Sequence, residues 1–331
     1  MFAGGADTPI VAQGTTVSEA HQAYLLGRYY WNQRTEESIR NGITEFQRAV
    51  TLDPSFAEAH SGLASSYLVL DSYITTPGDV DFETHIPRGL SSARTAISLA
   101  PDLGEAHAAL AFGLFEQGQW ESSEQEFDVA IELAPGYATG HQWFGNFLRN
   151  TGRAAEAIVH AEQAFELDPV APIIAVGLGR TLLIAGRVDE AIERFSEATE
   201  LDPSWWTGWN ALALTRVKVG DYRAGREAWE QFVRFYGLEP EGARAAFQAL
   251  VTHSQTGEVQ TFPELAGLDR TTLFSLYAGT GQLDRANDTL EDLLQRGAYL
   301  NVAALHATHT SDALRDDPRY QALLEEAGIT W

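Results

Sequence analysis

Residues 172–203 read PIIAVGLGRTLLIAGRVDEAIERFSEATELDP, and this pattern returns along the chain at a constant interval of 34 residues. One glycine and one proline of the pattern recur without a slip in four consecutive copies. They are Gly118, Gly152, Gly186 and Gly220, and Pro101, Pro135, Pro169 and Pro203. A fixed period of this length indicates a helix–turn–helix unit copied in tandem.

Each copy can be counted from the third residue after its boundary proline, so the four copies begin at Gly104, Ala138, Pro172 and Trp206. Positions 4, 7 and 11 have helical spacing and predict the buried stripe of a first helix, helix A. Position 24 supplies the same contact for a second helix, helix B. Small residues at positions 8 and 20 let the two helices approach closely. The glycine at position 15 ends helix A in a left-handed conformation, and the proline at position 32 follows helix B because it cannot continue a helix.

These recurring residues resemble the tetratricopeptide repeat (TPR) family. The resemblance implies an all-α fold, a TPR α-solenoid in which helix–turn–helix repeats form a right-handed superhelix. Three stretches also look like the C-terminal TPR regions of bacterial signalling proteins, which attach such repeats to winged-helix, Ser/Thr kinase or nucleotide cyclase domains. These stretches are Tyr24–Asn32, Ala138–Gly145 and Asp317–Leu324.

The repeat pattern predicts how the chain is divided. Residues 1–17 carry glycines and no periodic apolar stripe, so we expect a flexible lead-in. Residues 18–240 hold six units, the second of which has an insert at about residues 68–88. Residues 241–331 are expected to form an extra helix, a seventh degenerate unit and a C-terminal cap.

Composition narrows the possible partners. The 331 residues carry a net charge of −24, which argues against a nucleic acid or an anionic membrane as partner. Cysteine is absent, so disulfides, thiol catalysis and cysteine metal sites are excluded. There is no stretch of 18 apolar residues that would insert into a membrane, and the first residues lack signal-peptide features. We expect a soluble protein, with the cytoplasm favoured over the periplasm or the extracellular space.

The resemblance implies which residues line the concave groove. In TPR proteins, positions 2, 5, 6, 9, 12 and 13 of helix A commonly face it. Here these positions supply aromatic, amide and basic side chains, namely Arg28, Trp31, Asn32, Gln142, Trp143, Asn146, Arg149, Asn150, Arg180, Asn210 and Lys218, the single lysine. Arginine can hold a carboxylate through two hydrogen bonds, and asparagine can bond an extended backbone. The hypothesis is a groove for an extended segment with a carboxylate or acidic side chains. The alternative is that these are ordinary solvated surface residues.

Motifs for catalysis are missing. No phosphate loop, zinc-protease helix or nucleophile elbow is present. Gly177-Leu178-Gly179 could suggest a dinucleotide turn, but it lies inside a predicted helix A and follows no strand. His60, His107 and His141 all occupy position 4 and are expected to pack rather than to bind metal.

We therefore expect a non-enzymatic protein-interaction scaffold with no cofactor and no metal, which binds a protein or peptide. The alternatives are a regulatory or sensory module of a larger bacterial signalling protein, and a subunit that self-assembles into an oligomer or filament.

Overall fold

The computed structural model describes residues 14–71, 81–263, 265–295 and 312–326, and in these ranges every regular element is a helix. Much of the predicted lead-in lies outside the described residues, as do most of the residues between the two helices of the second unit. The helices are α1 Ser18–Asn32, α2 Glu36–Leu52, α3 Ala57–Leu70, α4 Phe82–Leu99, α5 Gly104–Glu116, α6 Trp120–Leu133, α7 Ala138–Asn150, α8 Ala154–Leu167, α9 Pro172–Ile184, α10 Val188–Leu201, α11 Trp206–Lys218, α12 Tyr222–Tyr236, α13 Pro240–Thr256, α14 Arg270–Gly279, α15 Leu283–Gln295, α16 Asp312–Arg315 and α17 Pro318–Glu326.

Helices pair in the order of the chain. From α1 to α12, each odd-numbered helix packs along the even-numbered helix that follows it, which gives six helical hairpins. Each odd-numbered helix also packs on the next odd-numbered helix, from α1·α3 through to α11·α13. The odd-numbered helices therefore form one continuous layer, which we call the concave layer because the TPR resemblance places helix A on the inner side of the solenoid.

The repeated glycines act as the sequence predicts. Gly118, Gly152, Gly186 and Gly220 all have φ between +69° and +81°, the left-handed region that ends a helix. Close helix approach explains the small residues at position 8. A methyl group on Gly179 would lie 2.5 Å from a ring carbon of Phe195 on the partner helix.

Position 4 has a role that the sequence analysis missed. The ring nitrogen Nε2 of His60, His107 and His141 lies 3.0 Å from the carbonyl oxygen of the proline six residues earlier. In the sixth unit, the indole Nε1 of Trp209 donates to the equivalent carbonyl of Pro203 at 2.8 Å. Each ring therefore ties the start of helix A to the preceding turn. Among the described residues, no three side chains of the His, Cys, Asp or Glu type come together at these histidines or elsewhere in an arrangement that could hold a metal ion.

Helices α13, α14 and α15 continue the packing after the sixth hairpin. Helix α13 contacts α11, α12 and α14, while α14 and α15 pack on each other as a further pair. Tyr320 and Leu324 of α17 are buried and belong to the core cluster that includes α14 and α15. None of the helices in the described ranges is long and apolar enough to cross a membrane.

Candidate binding groove

The middle of the concave layer contains a buried arginine with an unused donor. Arg149 lies in the last turn of α7 and is only 4% exposed. Its Nε donates to Asn150 Oδ1 at 3.1 Å, but its Nη1 is buried without a hydrogen-bond partner. A buried donor without an acceptor costs about 1–3 kcal/mol, and more for a charged group. Arg149 is therefore suited to a ligand that brings an acceptor.

Asn150 presents a second free donor beside it. The residue is 1% exposed, and its Oδ1 is occupied by Arg149, which leaves Nδ2 buried without a partner. Because the Arg149 Nε can only donate, the Asn150 oxygen must face it and the amide nitrogen must point away. Two adjacent side chains thus offer unused N–H groups.

Arg180 on α9 adds a second positive charge. It forms no ion pair or hydrogen bond with the described residues, and its charge acts on Arg149. Burial, and to a smaller extent the charge of Arg180, lowers the pKa of Arg149 to about 9, so its guanidinium remains charged at neutral pH. Burial also lowers the pKa of Arg180, while the carboxylate of Asp269 opposes this shift. An anion placed between the two guanidinium groups would relieve their repulsion.

A cavity of about 310 Å³ opens beside Arg180. Its walls are mostly apolar and come from α9, α10, α11, α13 and α14, with Arg180, Asn210, Lys218, Ser254 and Ser275 as polar groups. Asn210 is buried, and its Oδ1 has no hydrogen-bond partner. This oxygen can accept a bond from an N–H group of a bound molecule.

Arginines of the turns between helices behave differently. Arg153 binds Glu124 and Glu156, and Arg187 contacts Glu162 at 3.0 Å and Glu190 at 2.6 Å. These half-exposed side chains use their charge to hold neighbouring units together. Unsatisfied donors are therefore not general to the arginines of this acidic chain.

Comparison with known proteins identifies the repeat. A family model described as tetratricopeptide repeat matches residues 148–213, the segment that carries most of this groove. The fold is a TPR α-solenoid. No curated protein matches the sequence.

Several solved structures resemble the chain. Human IFIT1, solved as a dimer with m7Gppp-AAAA, is 17% identical, covers 93% of this chain and 71% of its own, and has a TM-score of 0.59. A TPR protein from Thermus thermophilus, TTC0263, is 22% identical over 56% of this chain and 92% of its own, with a TM-score of 0.45. Pseudomonas aeruginosa pilF is 17% identical over 83% of this chain and 98% of its own, with a TM-score of 0.48. At these identities the likeness concerns the fold alone.

The fourth TPR unit supplies the floor of the groove. Gln142 and Trp143 on α7 are buried, and the Trp143 ring stacks on Phe112 of α5 with 4.6 Å between centroids. Asn146 is half-buried, and a methyl group on Gly177 of α9 would lie 3.9 Å from its Oδ1. These three predicted residues thus lie between helices of neighbouring TPR units, with Trp143 acting as packing.

The first TPR unit is separate from this site. Arg28 contacts the Tyr24 hydroxyl at 2.9 Å and Glu105 Oε2 at 3.4 Å, so its charge is already engaged. Trp31 is buried, with the Arg34 guanidinium 3.4 Å from its ring centroid. Asn32 is exposed. Of the predicted groove residues in the sixth unit, Lys218 is exposed at the rim of the cavity.

Two acidic residues of the TPR concave layer escaped the sequence analysis. Glu116 ends α5 at position 13, the position held by Asn150 and Lys218 in later units, and Asp71 directly follows α3. Both are buried. Their position at the end of an inner helix of the repeat is the sequence signal by which such buried acids can be found.

Proposed function

We propose that this protein is a non-enzymatic interaction scaffold whose concave groove binds an extended segment of a partner protein through a carboxylate. The observation that carries the proposal is the buried Nη1 of Arg149, which has no partner in the free protein. A carboxylate is the acceptor that a guanidinium binds most strongly, because two parallel charge-assisted hydrogen bonds can form. Arg180 adds attraction for the same group.

The free polar atoms of units four to six suit an extended backbone. Asn150 Nδ2, beside Arg149, is a free donor, and Asn210 Oδ1, in the cavity beside Arg180, is a free acceptor; an extended chain exposes both carbonyl and N–H groups along its length. The apolar walls beside Arg180 offer space for a side chain of the same segment. Units four to six therefore supply charge, backbone recognition and an apolar pocket.

A second candidate function, self-assembly, is favoured by one observation. Helix α1 at the N-terminal end of the solenoid exposes Leu25, Leu26 and Tyr29. Light scattering at several concentrations separates a concentration-dependent oligomer from a monomer that binds a partner. A role as a regulatory module of a larger signalling protein would use the same groove.

The groove proposal is tested with peptides of defined charge. A pool of random octapeptides is synthesised twice, with a free C-terminal carboxylate and as the amide, and the bound sequences are measured individually by fluorescence anisotropy. We expect bound peptides to carry a terminal or side-chain carboxylate. Arg149→Met, which keeps the buried stem, should weaken them at least about 10-fold, since a bond to a charged group contributes about 1.5–3 kcal/mol. Arg180→Ala should weaken them in the same direction.

Arg187→Ala is the matched control, because it removes an arginine that is already paired with Glu162 and Glu190. It should bind the peptides as the wild type does. Equal affinities for wild type, Arg149→Met and Arg180→Ala, or equally tight binding of amidated peptides that contain no Asp or Glu, would overturn the proposal.

A further inference from the structure

The acidic pair Asp71 and Glu116 lies at one end of the same concave layer. Helices α3 and α5 are neighbours there, since a methyl group on Gly113 would lie 3.0 Å from Leu68 Cδ2. Asp71 and Glu116 each follow these contact residues by three positions, one helical turn further along. The two carboxyl groups are therefore brought to the same place by adjacent inner helices.

Both carboxyl groups are buried and incompletely bonded. Glu116 is 6% exposed and forms no hydrogen bond or ion pair through its side chain with the described residues. Asp71 is 7% exposed; its Oδ1 accepts from the Asp81 backbone N–H at 3.1 Å and lies 2.8 Å from His85 Nδ1. Its Oδ2 is buried without a partner. Burying two acids side by side is costly unless a proton or a cation is shared between them.

We propose that Asp71 and Glu116 form a binding site for a cationic side chain, the ammonium of a lysine or the guanidinium of an arginine, on the segment that occupies the groove. Such a group brings N–H donors to Glu116 and to Asp71 Oδ2 and neutralises the pair. The buried ring of Phe112, four residues before Glu116 on the same face of α5, stacks on Trp143, so an apolar ring pair borders this side of the acidic pair. This inference rests on the groove proposal and extends it, because the bound segment then carries a basic group at units two and three and an acidic group at units four and five.

An organic cation fits better than a metal ion. In the ranges that the structure describes, no three side chains of the His, Cys, Asp or Glu type are arranged to hold a metal. His85 is turned toward Asp71 Oδ1, so the acceptors left for a bound cation are those of the two carboxyl groups alone. Two carboxylates with directional acceptors match an ammonium or guanidinium group.

A proton occupies this place when no cation is bound. Burial, and secondly the charge of Asp71, raises the pKa of Glu116 to about 8, so its carboxyl group is mostly protonated at pH 7. The charge that acts on Glu116 is that of Asp71, while the charge that acts on Arg149 is that of Arg180. The acidic and basic ends of the groove are thus separate sites. A bound cation should displace the Glu116 proton into solution.

The test uses small cations that contain no carboxylate, so that it does not depend on Arg149 or Arg180. n-Butylammonium and n-butylguanidinium chlorides are added to the full chain in weak buffer at about pH 7, and proton release is recorded with binding by calorimetry. Tetramethylammonium at the same concentration, which has no N–H donor, controls for ionic strength. We expect saturable binding of both N–H cations with release of up to about one proton per chain.

Glu116→Gln should lower the affinity at least about 10-fold and abolish the proton release, because the amide cannot ionise. The amide resembles the protonated acid in shape and keeps the fold, and Glu132→Gln, which changes an exposed acid, should bind as the wild type does. Binding of the N–H cations without proton release overturns the proposal, as does binding that is unchanged in Glu116→Gln. The proposal also fails if Ca²⁺ or Mg²⁺ binds more tightly than the organic cations and Glu116→Gln removes that binding. If the cations do not bind at Asp71 and Glu116 but peptides still bind in a way that depends on Arg149, this inference fails and the groove proposal holds.

Discussion

Glu116 shows how one buried side chain couples stability to pH. Its pKa is about 8 in the folded protein, against 4.5 for an ordinary glutamate, because burial and the neighbouring Asp71 disfavour its charge. Between these values the folded protein keeps the proton that the unfolded chain has released. The folded state then binds more protons, so the free energy of unfolding falls as pH rises from about 4.5 to about 8.

Glu116→Gln should remove this loss. The difference between the two pKa values corresponds to about 5 kcal/mol, at about 1.36 kcal/mol per pKa unit. We therefore expect the free energy of unfolding of the variant, relative to that of the wild type, to increase by this amount between about pH 4 and about pH 9. Urea unfolding of both proteins across this range measures the difference, in which the titration of groups remote from Glu116 cancels, while that of the coupled Asp71 remains part of the effect. Glu132→Gln serves as the exposed control. A difference between wild type and Glu116→Gln that does not change with pH would contradict the assignment.

Residue roles were predictable only where the repeat dictates them. The positive φ of Gly186 follows from its place after helix A, and the sequence predicted it. The unpaired state of Arg149 did not follow, because an arginine can also find its partner in another unit, as Arg153 finds Glu124 on helix B of the preceding unit. Pairing of charges depends on which side chains the solenoid brings together, and that requires the three-dimensional arrangement.

At the scale of one element, α9 contains two glycines with different surroundings. Gly179 faces α10, where a methyl group would lie 2.5 Å from the Phe195 ring, whereas a methyl group on Gly177 would meet only Asn146 and Gln142 atoms at 3.9 Å. Gly179→Ala should therefore destabilise the protein by about 1–3 kcal/mol through overpacking. Gly177→Ala should be neutral or stabilise the protein by up to ~1 kcal/mol, because alanine has a higher helix propensity than glycine.

Thermal or urea unfolding of the two variants provides the comparison, with each serving as the control for the other. Equal effects of the two substitutions would show that close approach at Gly179 does not explain its glycine. A result in the expected direction would account for Gly179 by helix packing, with no dinucleotide turn involved.

Element positions followed from the sequence more completely than their contacts did. The 34-residue spacing placed helix A and helix B in four consecutive units, and α5 to α12 occupy those places. The histidines at position 4 were expected to pack, but the bond from their rings to the proline carbonyl was not foreseen. A packing pattern identifies which face of a helix is buried; it does not identify the polar partner that a buried ring will meet.

On the scale of the whole molecule, the apolar core is divided near α8. Beside a small cluster of Ala20, Ala23, Ala49, Phe56 and Ala59, one large core cluster extends from Trp31 to Ala157, and a second extends from Ala161 to Leu324. The fully buried residues of α8 are alanines, and Ala161 occupies position 24, where the neighbouring units place Phe127 and Phe195. Small side chains bury less apolar surface, so we expect the link between units four and five to be weaker than a link made by phenylalanines at position 24.

Because a solenoid is stabilised by contacts between neighbouring units, a weak link should divide its unfolding. We expect hydrogen exchange in mild denaturant to reveal two cooperative blocks, one on each side of α8. Phe127→Leu and Phe195→Leu are a matched pair, since both side chains are fully buried at position 24 and each change should cost about 1–2 kcal/mol. Phe127→Leu should speed exchange mainly in α3 to α7, and Phe195→Leu mainly in α9 to α12, as mass spectrometry of peptide fragments can resolve. If either substitution lowered protection equally along all described helices, the molecule would unfold as one unit. The division of the core at α8 would then not separate two cooperative blocks.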